Sequence, residues 1–364
     1  MKIKRYFIII IILLLSIITL SCKKKDTNKF TYNGVEFEKV SIMTTEQKKA
    51  YDAGYDQASI YAKGTKELSK PNPVHLSWEG SNSSVKVLLS LDKDFTCPTI
   101  YDVNGNSIDL YNLLINTPYY YKVWDNENNE VLGIKGFLIE GIAPRTLNID
   151  GVTNCRDLGG WKLAGGMTIK QGLIYRTSKF NEDNSDTLII TSDGIKTLVE
   201  ELKIKTEIDL RKVTDGENGN LTKSPLGDSV RYISIPMDSN GRVLVLNKDK
   251  YQELFSILGD INNYPIVFHC SIGTDRTGAV AFLINGLLGV SDEDLYRDYL
   301  FSNFGYIYKL RTSKTIDNYL EDISLSDGDT TSEKIYNYLL ACGVSKSDLD
   351  NVIEILKTKD FVLE

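Results

Sequence analysis

Residues 264–278, Tyr264-Pro265-Ile266-Val267-Phe268-His269-Cys270-Ser271-Ile272-Gly273-Thr274-Asp275-Arg276-Thr277-Gly278, decide how the rest of the chain is read. The opening run, residues 264–268, is apolar and β-prone, as a buried strand requires. Residues 277–290 are rich in Ala, Leu and Ile and long enough for a helix. A strand, a tight loop and a helix N-terminus in that order aim successive backbone N–H groups into one concavity. Such a concavity binds a tetrahedral oxyanion.

Each residue type has a job in such a loop. Cys270, at the helix N-terminus beside Arg276, is expected to have a lowered thiol pKa and to be a thiolate at neutral pH. The planar fork of Arg276 can hold two equatorial phosphate oxygens, in the ground state and as charge spreads in transfer. Ser271, Ile272, Gly273 and Thr274 form the expected cradle, and Thr277 and Gly278 open the helix. Gly273 permits the tight turn without a side chain entering the anion site. The Thr277 hydroxyl can hydrogen-bond the sulfur and stabilise it as a leaving group, and His269 can brace the loop from behind. The competing reading, a structural cysteine buried at a strand end, is disfavoured by the strand-loop-helix setting.

Six further segments extend the pattern. They are Asn154-Cys155-Arg156-Asp157-Leu158-Gly159-Gly160, Gly172-Leu173-Ile174-Tyr175-Arg176-Thr177-Ser178, Ile208-Asp209-Leu210-Arg211, Ile235-Pro236-Met237, Gly289-Val290-Ser291-Asp292 and Asp298-Tyr299-Leu300-Phe301-Ser302-Asn303. With these in order, the chain resembles the Cys-x5-Arg phosphatases over residues 144–303. More narrowly, it is similar to the bacterial tyrosine phosphatase-like family, whose loop reads His-Cys-x-x-Gly-Lys-Asp-Arg-Thr-Gly. The resemblance implies a tyrosine-phosphatase-like α/β sheet flanked by helices, with supporting roles for Arg156, Asp157, Arg176 and Arg211.

One departure matters. Thr274 stands where the family usually has lysine, so the loop lacks a second positive charge, which should weaken binding of inositol polyphosphates and phosphoinositides. Asp275 beside it opposes a phosphate, a cost that makes sense if it is protonated with substrate bound and serves as general acid. Myotubularin-type lipid phosphatases, with Asp-Arg-Thr in the same place, are similar in this respect. Asp209, at a predicted strand end near the same rim, is the rival acid, or else the partner of a nearby arginine. Asp238 is a weaker candidate.

The implied reaction has two steps: thiolate attack on phosphorus, then hydrolysis of a cysteinyl-phosphate. It calls for no metal and no cofactor. Only two histidines occur, His75 and His269, too few for a histidine-rich metal site. A Ser-His-Asp hydrolase is disfavoured too, since no Gly-x-Ser-x-Gly elbow is present.

The N-terminus sets the expected location. Lys2, Lys4 and Arg5 precede a short apolar run, residues 7–20, and Leu20-Ser21-Cys22 resembles a lipoprotein signal-peptidase site with Cys22 as the lipid-bearing residue. The alternative is an uncleaved signal anchor; either places the body outside the cytoplasm, at a bacterial membrane. The expected order is a signal peptide at 1–21, a tether at 22–34, a mostly-β domain at 35–143 and a catalytic domain at 144–364. Alternation of Val85, Val87, Leu89 and Leu91 predicts a strand, and Asn104-Gly105 and Asn128-Asn129 predict turns. The region around residues 71–140, with Trp78, resembles a fibronectin type III-like sandwich. A helix is predicted within 44–62, carrying Tyr51, Tyr55 and Tyr61, and others over 191–202, 306–320, 332–341 and 347–357.

The net charge of −7 argues against a nucleic-acid partner. Beyond Cys22, the cysteines Cys97, Cys155, Cys270 and Cys342 are too few for a disulfide scaffold. Cys155 is read as a buried thiol or, alternatively, as a reversible disulfide partner of Cys270. Two functions stay open: an exported phosphatase of phosphotyrosine-like, sugar-phosphate or phosphoinositide monoesters, or a surface binding lipoprotein with a vestigial phosphatase domain. The partner of the β domain is left unassigned.

Overall fold

A computed structural model describes residues 28–80, 84–180, 189–213, 221–239 and 241–360. The expected signal peptide, Cys22 and part of the expected tether lie outside these residues. Strands β1 (Lys29–Tyr32), β2 (Val35–Ser41), β3 (Val74–Ser77), β4 (Ser84–Ser90), β5 (Thr99–Asn104), β6 (Ser107–Leu110), β7 (Pro118–Asp125) and β8 (Glu130–Glu140) come first. They are followed by β9 (Arg145–Thr146), β10 (Arg156–Asp157), β11 (Lys162–Leu163), β12 (Met167–Ile169), β13 (Ile174–Thr177), β14 (Thr206–Asp209), β15 (Arg231–Ser234), β16 (Ile266–His269) and β17 (Lys357–Lys359).

The chain divides into two compact units, and not at residue 144. The first takes residues up to Val40, Trp78–Asn106 and Pro118–Leu138. The second takes Ser41–Ser77, Ser107–Thr117 and Ile139–Glu364. The first unit is β-rich, with sheet order β1-β2-β8-β7-β4-β5. Its β1 lies within the stretch expected to be a tether, because Lys29–Tyr32 pairs antiparallel with β2 across the Asn33-Gly34 turn. The alternation expected in β4 is real: Val85, Val87 and Leu89 are buried. Asn128-Asn129 turns the β7–β8 hairpin, whereas β5 pairs with β4 and β6 pairs with β3, so the strands on either side of Asn104-Gly105 enter different sheets. The fibronectin type III-like reading expected two facing sheets here; β3 and β6 instead form a separate ribbon within the second unit.

The second unit is built on the sheet β15-β14-β16-β13-β10-β9. Strands β15, β14, β16 and β13 run parallel, with β10 and β9 antiparallel at one edge. Among the described residues, helices lie in the connections from β13 to β14 and from β15 to β16, as the long crossovers of parallel strands require. Helix Asp275–Leu288, which follows β16, is buried from Arg276 to Leu288. Beyond its first turn its sequence is apolar except for Asn285, which is the signature of a helix at the centre of a core rather than on a surface. It ends at Gly289 in the left-handed region, φ 92°.

The predicted 44–62 helix breaks at Gly54 (φ 115°) into Thr45–Ala53 and Ala58–Tyr61. Its tyrosines are packing groups: Tyr51 covers the Arg297 guanidinium at 4.4 Å and Tyr55 lies 4.9 Å from Tyr296. This segment is an integral part of the second unit. Glu67 accepts from the Ser69 N–H at 2.8 Å and from the Thr153 hydroxyl, and the Asn154 N–H donates to Ser69 Oγ at 3.2 Å. No helix among the described residues is long and apolar enough to cross a membrane.

Candidate active site

Between β16 and helix Asp275–Leu288 the chain folds into a loop whose carbonyl groups are tied outward. The Ser271 carbonyl accepts from the Lys179 N–H at 3.1 Å. The Ile272 carbonyl accepts from Asn154 Nδ2 at 3.1 Å, and the Gly273 carbonyl from Asn154 Nδ2 at 3.0 Å and Arg176 Nη2 at 2.8 Å. The Thr274 carbonyl accepts from the Gly278 N–H at 2.7 Å. Among the described residues, no hydrogen bond uses the N–H groups of Ser271 through Asp275. With these acceptors occupied, the free donors at a helix N-terminus are the feature an anion site requires.

Gly273 sits at φ 68°, and a Cβ there would meet the Thr177 carbonyl oxygen at 2.4 Å. The glycine is therefore demanded by close approach to β13, and not by the anion side as the sequence suggested. Thr274 is fully buried, its hydroxyl donating to the Ile272 carbonyl at 3.3 Å and lying 3.3 Å from Asn154 Nδ2. It acts as internal bracing where a lysine would present a charge.

Cys270 is 2% exposed. Burial alone would raise its thiol, but Arg276, the Thr277 hydroxyl and the Thr277 N–H outweigh that and hold it below its ordinary value, with Asp275 opposing. Arg276 is buried, with Nη1 3.3 Å from the Leu210 carbonyl and Nη2 3.1 Å from Ser271 Oγ. The guanidinium is thus steered from two sides.

The loop is held by a buried ionic cluster. Asp298 receives Arg156 Nε at 2.9 Å on one oxygen and Arg176 Nη1 at 2.5 Å on the other. Arg176 then reaches Gly273, and Arg156 contacts Asn154, so both arginines connect Asp298 to the loop. Asp157 plays a more distant part: it pairs with Arg145 at 2.5 Å and accepts the Gly159 and Gly172 N–H groups, each at 2.7 Å. It ties together two matched segments rather than the loop. Sequence reading had passed over Asn154 and Asp298, although both lie inside matched segments; no local periodicity marks a residue whose partners are more than a hundred positions away.

A profile of the tyrosine phosphatase family matches residues 147–358, more than half of the chain. The chain belongs to that family. A Cupriavidus necator protein, provisionally assigned as a tyrosine-protein phosphatase, is 26% identical over 172 residues, covering 43% of this chain and 63% of that protein. The match thus spans less than two thirds of that relative. The core catalytic domain of the PP-IP phosphatase Siw14 from S. cerevisiae, solved with citrate, aligns at 18% identity with a TM-score of 0.30, over 43% of this chain and 88% of that one. Orf virus OH1, a tyrosine phosphatase, aligns at 14% identity with a TM-score of 0.19, over 49% and 86% of the two chains.

A tyrosine phosphatase of the cysteine type needs a proton donor for the leaving oxygen, and three carboxylates compete. Asp209 is fully buried, and its oxygens accept from Arg211 Nε at 2.9 Å, Arg211 Nη2 at 2.6 Å and the Tyr232 hydroxyl at 3.0 Å. Burial alone would raise its carboxyl, yet His269 and Arg211 outweigh that and hold it below the usual range. Asp209 is therefore a structural carboxylate paired with Arg211. Asp275 receives Arg311 Nε at 3.0 Å on one oxygen and Arg311 Nη2 at 2.9 Å on the other, with the Tyr299 hydroxyl at 3.3 Å. Both its oxygens act as acceptors, so the geometry serves an ion pair and not a donor. Asp238 is partly exposed and pairs with the Lys212 ammonium through one oxygen. The neighbouring Met237 N–H bonds the Leu210 carbonyl at 3.1 Å, the same carbonyl that takes Arg276 Nη1. Asp238 thus stands one residue from a direct link to Arg276.

Arg311 was hidden from sequence reading because residues 306–320 read as one helix. The helix runs instead from Lys314 to Ile323. Tyr308, at φ 68°, breaks the pattern, and the loop so freed carries Arg311 to Asp275. Cys155 and Cys270 are both free thiols. Cys155 precedes β10 and Cys270 follows β16, with β13 lying between those strands. Two strand spacings put them roughly 10 Å apart, beyond the reach of a disulfide. Burial pushes the Cys155 thiol up to about 12, against the Thr177 hydroxyl and Arg156, so it is a buried, inert thiol.

Proposed function

We propose that the protein is a phosphomonoester hydrolase that works through a cysteinyl-phosphate. The observation that carries this reading is the loop whose carbonyls accept bonds from the surrounding protein while its N–H groups do not donate to it, beside Arg276 and a thiol held low. The Cys270 thiolate attacks phosphorus, forming the S–P bond as the P–O bond to the leaving group breaks. A carboxylic acid gives that oxygen its proton. Water then attacks phosphorus, the same carboxylate takes its proton, and inorganic phosphate leaves as the thiolate re-forms.

Our reading assigns the acid to Asp238, because Asp209 and Asp275 have both oxygens committed to arginines. Asp238→Asn should lower kcat on alkyl and unactivated aryl phosphates by roughly 10²- to 10³-fold, with a smaller loss on para-nitrophenyl phosphate. A large loss in Asp275→Asn with Asp238→Asn unaffected would return the role to Asp275.

Substrate class is tested by phosphate release from phosphotyrosine and phosphoserine peptides, sugar phosphates and a phosphoinositide panel, in reductant. With Thr274 internal and Asp275 paired to Arg311, the loop itself offers one arginine, Arg276, which supports singly phosphorylated substrates over polyphosphates. The absence of release from every substrate by folded, reduced protein would favour the binding-protein reading. Location follows from the N-terminal pattern: we infer an exported protein anchored through a lipid on Cys22. Metabolic palmitate labelling should mark the wild type and not Cys22→Ala; equal labelling of both would remove the anchor.

A further inference from the structure

Strand β14 alternates Thr206, Glu207, Ile208 and Asp209, which sends both acidic side chains to one face. They meet His269 at the end of β16, and all three side chains are fully buried. His269 Nε2 lies 2.9 Å from Glu207 Oε1. The second Glu207 oxygen accepts from the Ser224 hydroxyl, whose own oxygen takes the Leu226 N–H at 3.0 Å. His269 Nδ1 lies 3.3 Å from the Cys270 carbonyl and 3.8 Å from Asp209 Oδ1. The partners of both ring nitrogens are therefore acceptors. A neutral imidazole carries one N–H and would set a lone pair against an acceptor on its other side; an imidazolium satisfies both.

We propose that Glu207 is a positioning residue for this reaction: it holds His269 as an imidazolium directly behind Cys270, so that the loop has a fixed positive charge at its back where Thr274 supplies none at its front. The surroundings agree. From β14 the ring faces Glu207 and Asp209, from the residues after it Arg211, from β13 the paired Thr177, and from the turn beyond that the Phe180 ring at 4.9 Å. Burial alone would lower the imidazole pKa, but Asp209 and Glu207 outweigh it and raise it above its ordinary value, with Arg211 opposing. The Arg211 fork is itself turned onto Asp209. Glu207 is outside every segment that carries the family resemblance, so nothing in those motifs points to it.

The inference rests on the reading of Cys270 as nucleophile, but its first test does not. The chain has only two histidines, so His75→Asn leaves His269 as the sole imidazole. In the full chain labelled with 15N in histidine, both ring nitrogens of His269 are expected to stay protonated from about pH 5 to pH 8. In Glu207→Gln the ring should become neutral within that window. The pH midpoint for iodoacetamide alkylation of Cys270, read by mass spectrometry of its peptide, should then rise by about one unit, cutting kcat/KM on the acid side about tenfold. A neutral His269 in the wild type at pH 7, which needs no variant to fold, would overturn the proposal. So would a folded Glu207→Gln protein with an unmoved alkylation midpoint. Failure of the nucleophile assignment would show separately, as turnover surviving in Cys270→Ser with the His269 signals unchanged.

Discussion

Cys270→Ser is expected to abolish phosphate release, by on the order of 10⁴-fold or more, the scale of losing a covalent nucleophile. The site is built around a thiolate. Arg276, the Thr277 hydroxyl and the Thr277 N–H together overcome the burial that would otherwise keep the thiol protonated. A serine hydroxyl is far too weak an acid for the same groups to ionise it, so the oxygen would sit protonated in a cradle made for an anion. The change is nearly isosteric at a buried position, so the protein should fold and still bind phosphate. The assay is release from para-nitrophenyl phosphate and a phosphotyrosine peptide, with acid quenching of the wild type to trap phosphate on Cys270. Substantial turnover in the variant, or no trapped phosphoenzyme under any quench, would sink the covalent route.

The second large effect falls on stability. Asp298 sits between two buried arginines, Arg156 at 2.9 Å and Arg176 at 2.5 Å, and Asp298→Ala strips both of their counter-charge. Leaving buried charge uncompensated costs about 3–5 kcal/mol, or roughly 10 °C in Tm for a unit of this size. The loss should be accompanied by weaker catalysis, because Arg176 also holds the Gly273 carbonyl. The pH dependence has a definite sign. Burial alone would raise the Asp298 carboxyl, but Arg156 and Arg176 outweigh it and keep it below the ordinary value. Its contribution is therefore full above the unfolded carboxylate pKa of about 3.9 and is lost as pH falls through the lower folded value. Thermal melts across the acid range should show a steeper decline for the wild type than for the variant. Equal Tm values at pH 7 would mean that the arginines find other partners.

The loop itself was legible because its chemistry is local. Cys270, Gly273 and Arg276 fall at short spacings between an apolar strand and the largely apolar body of a helix, and the structure places the loop at the carboxyl end of β16 at the N-terminus of helix Asp275–Leu288. The supporting arginines were legible only through resemblance. That Arg156 and Arg176 both meet Asp298 depends on tertiary packing and not on spacing, whereas Asp209 and Arg211 stand two residues apart and pair locally. Asp209 meets Arg211, the nearby arginine that its alternative reading expected, whereas Asp275 faces Arg311, which a misjudged helix start had concealed.

The sequence by itself determined the fold class, the family and the position of the Cys270–Arg276 loop, because strand and helix periodicity and backbone turn chemistry act over a few residues. Only the tertiary structure decided what surrounds that loop. The parallel sheet sets β14 beside β16, so Glu207 and Asp209 close on His269. It sets β13 between Cys155 and Cys270, so no disulfide can bridge them. And it folds residues 41–77, far from the family motifs in the chain, into the same compact unit as the loop. Buried charge is paired by three-dimensional proximity, and its partners carry no signature until the sheet has brought them together.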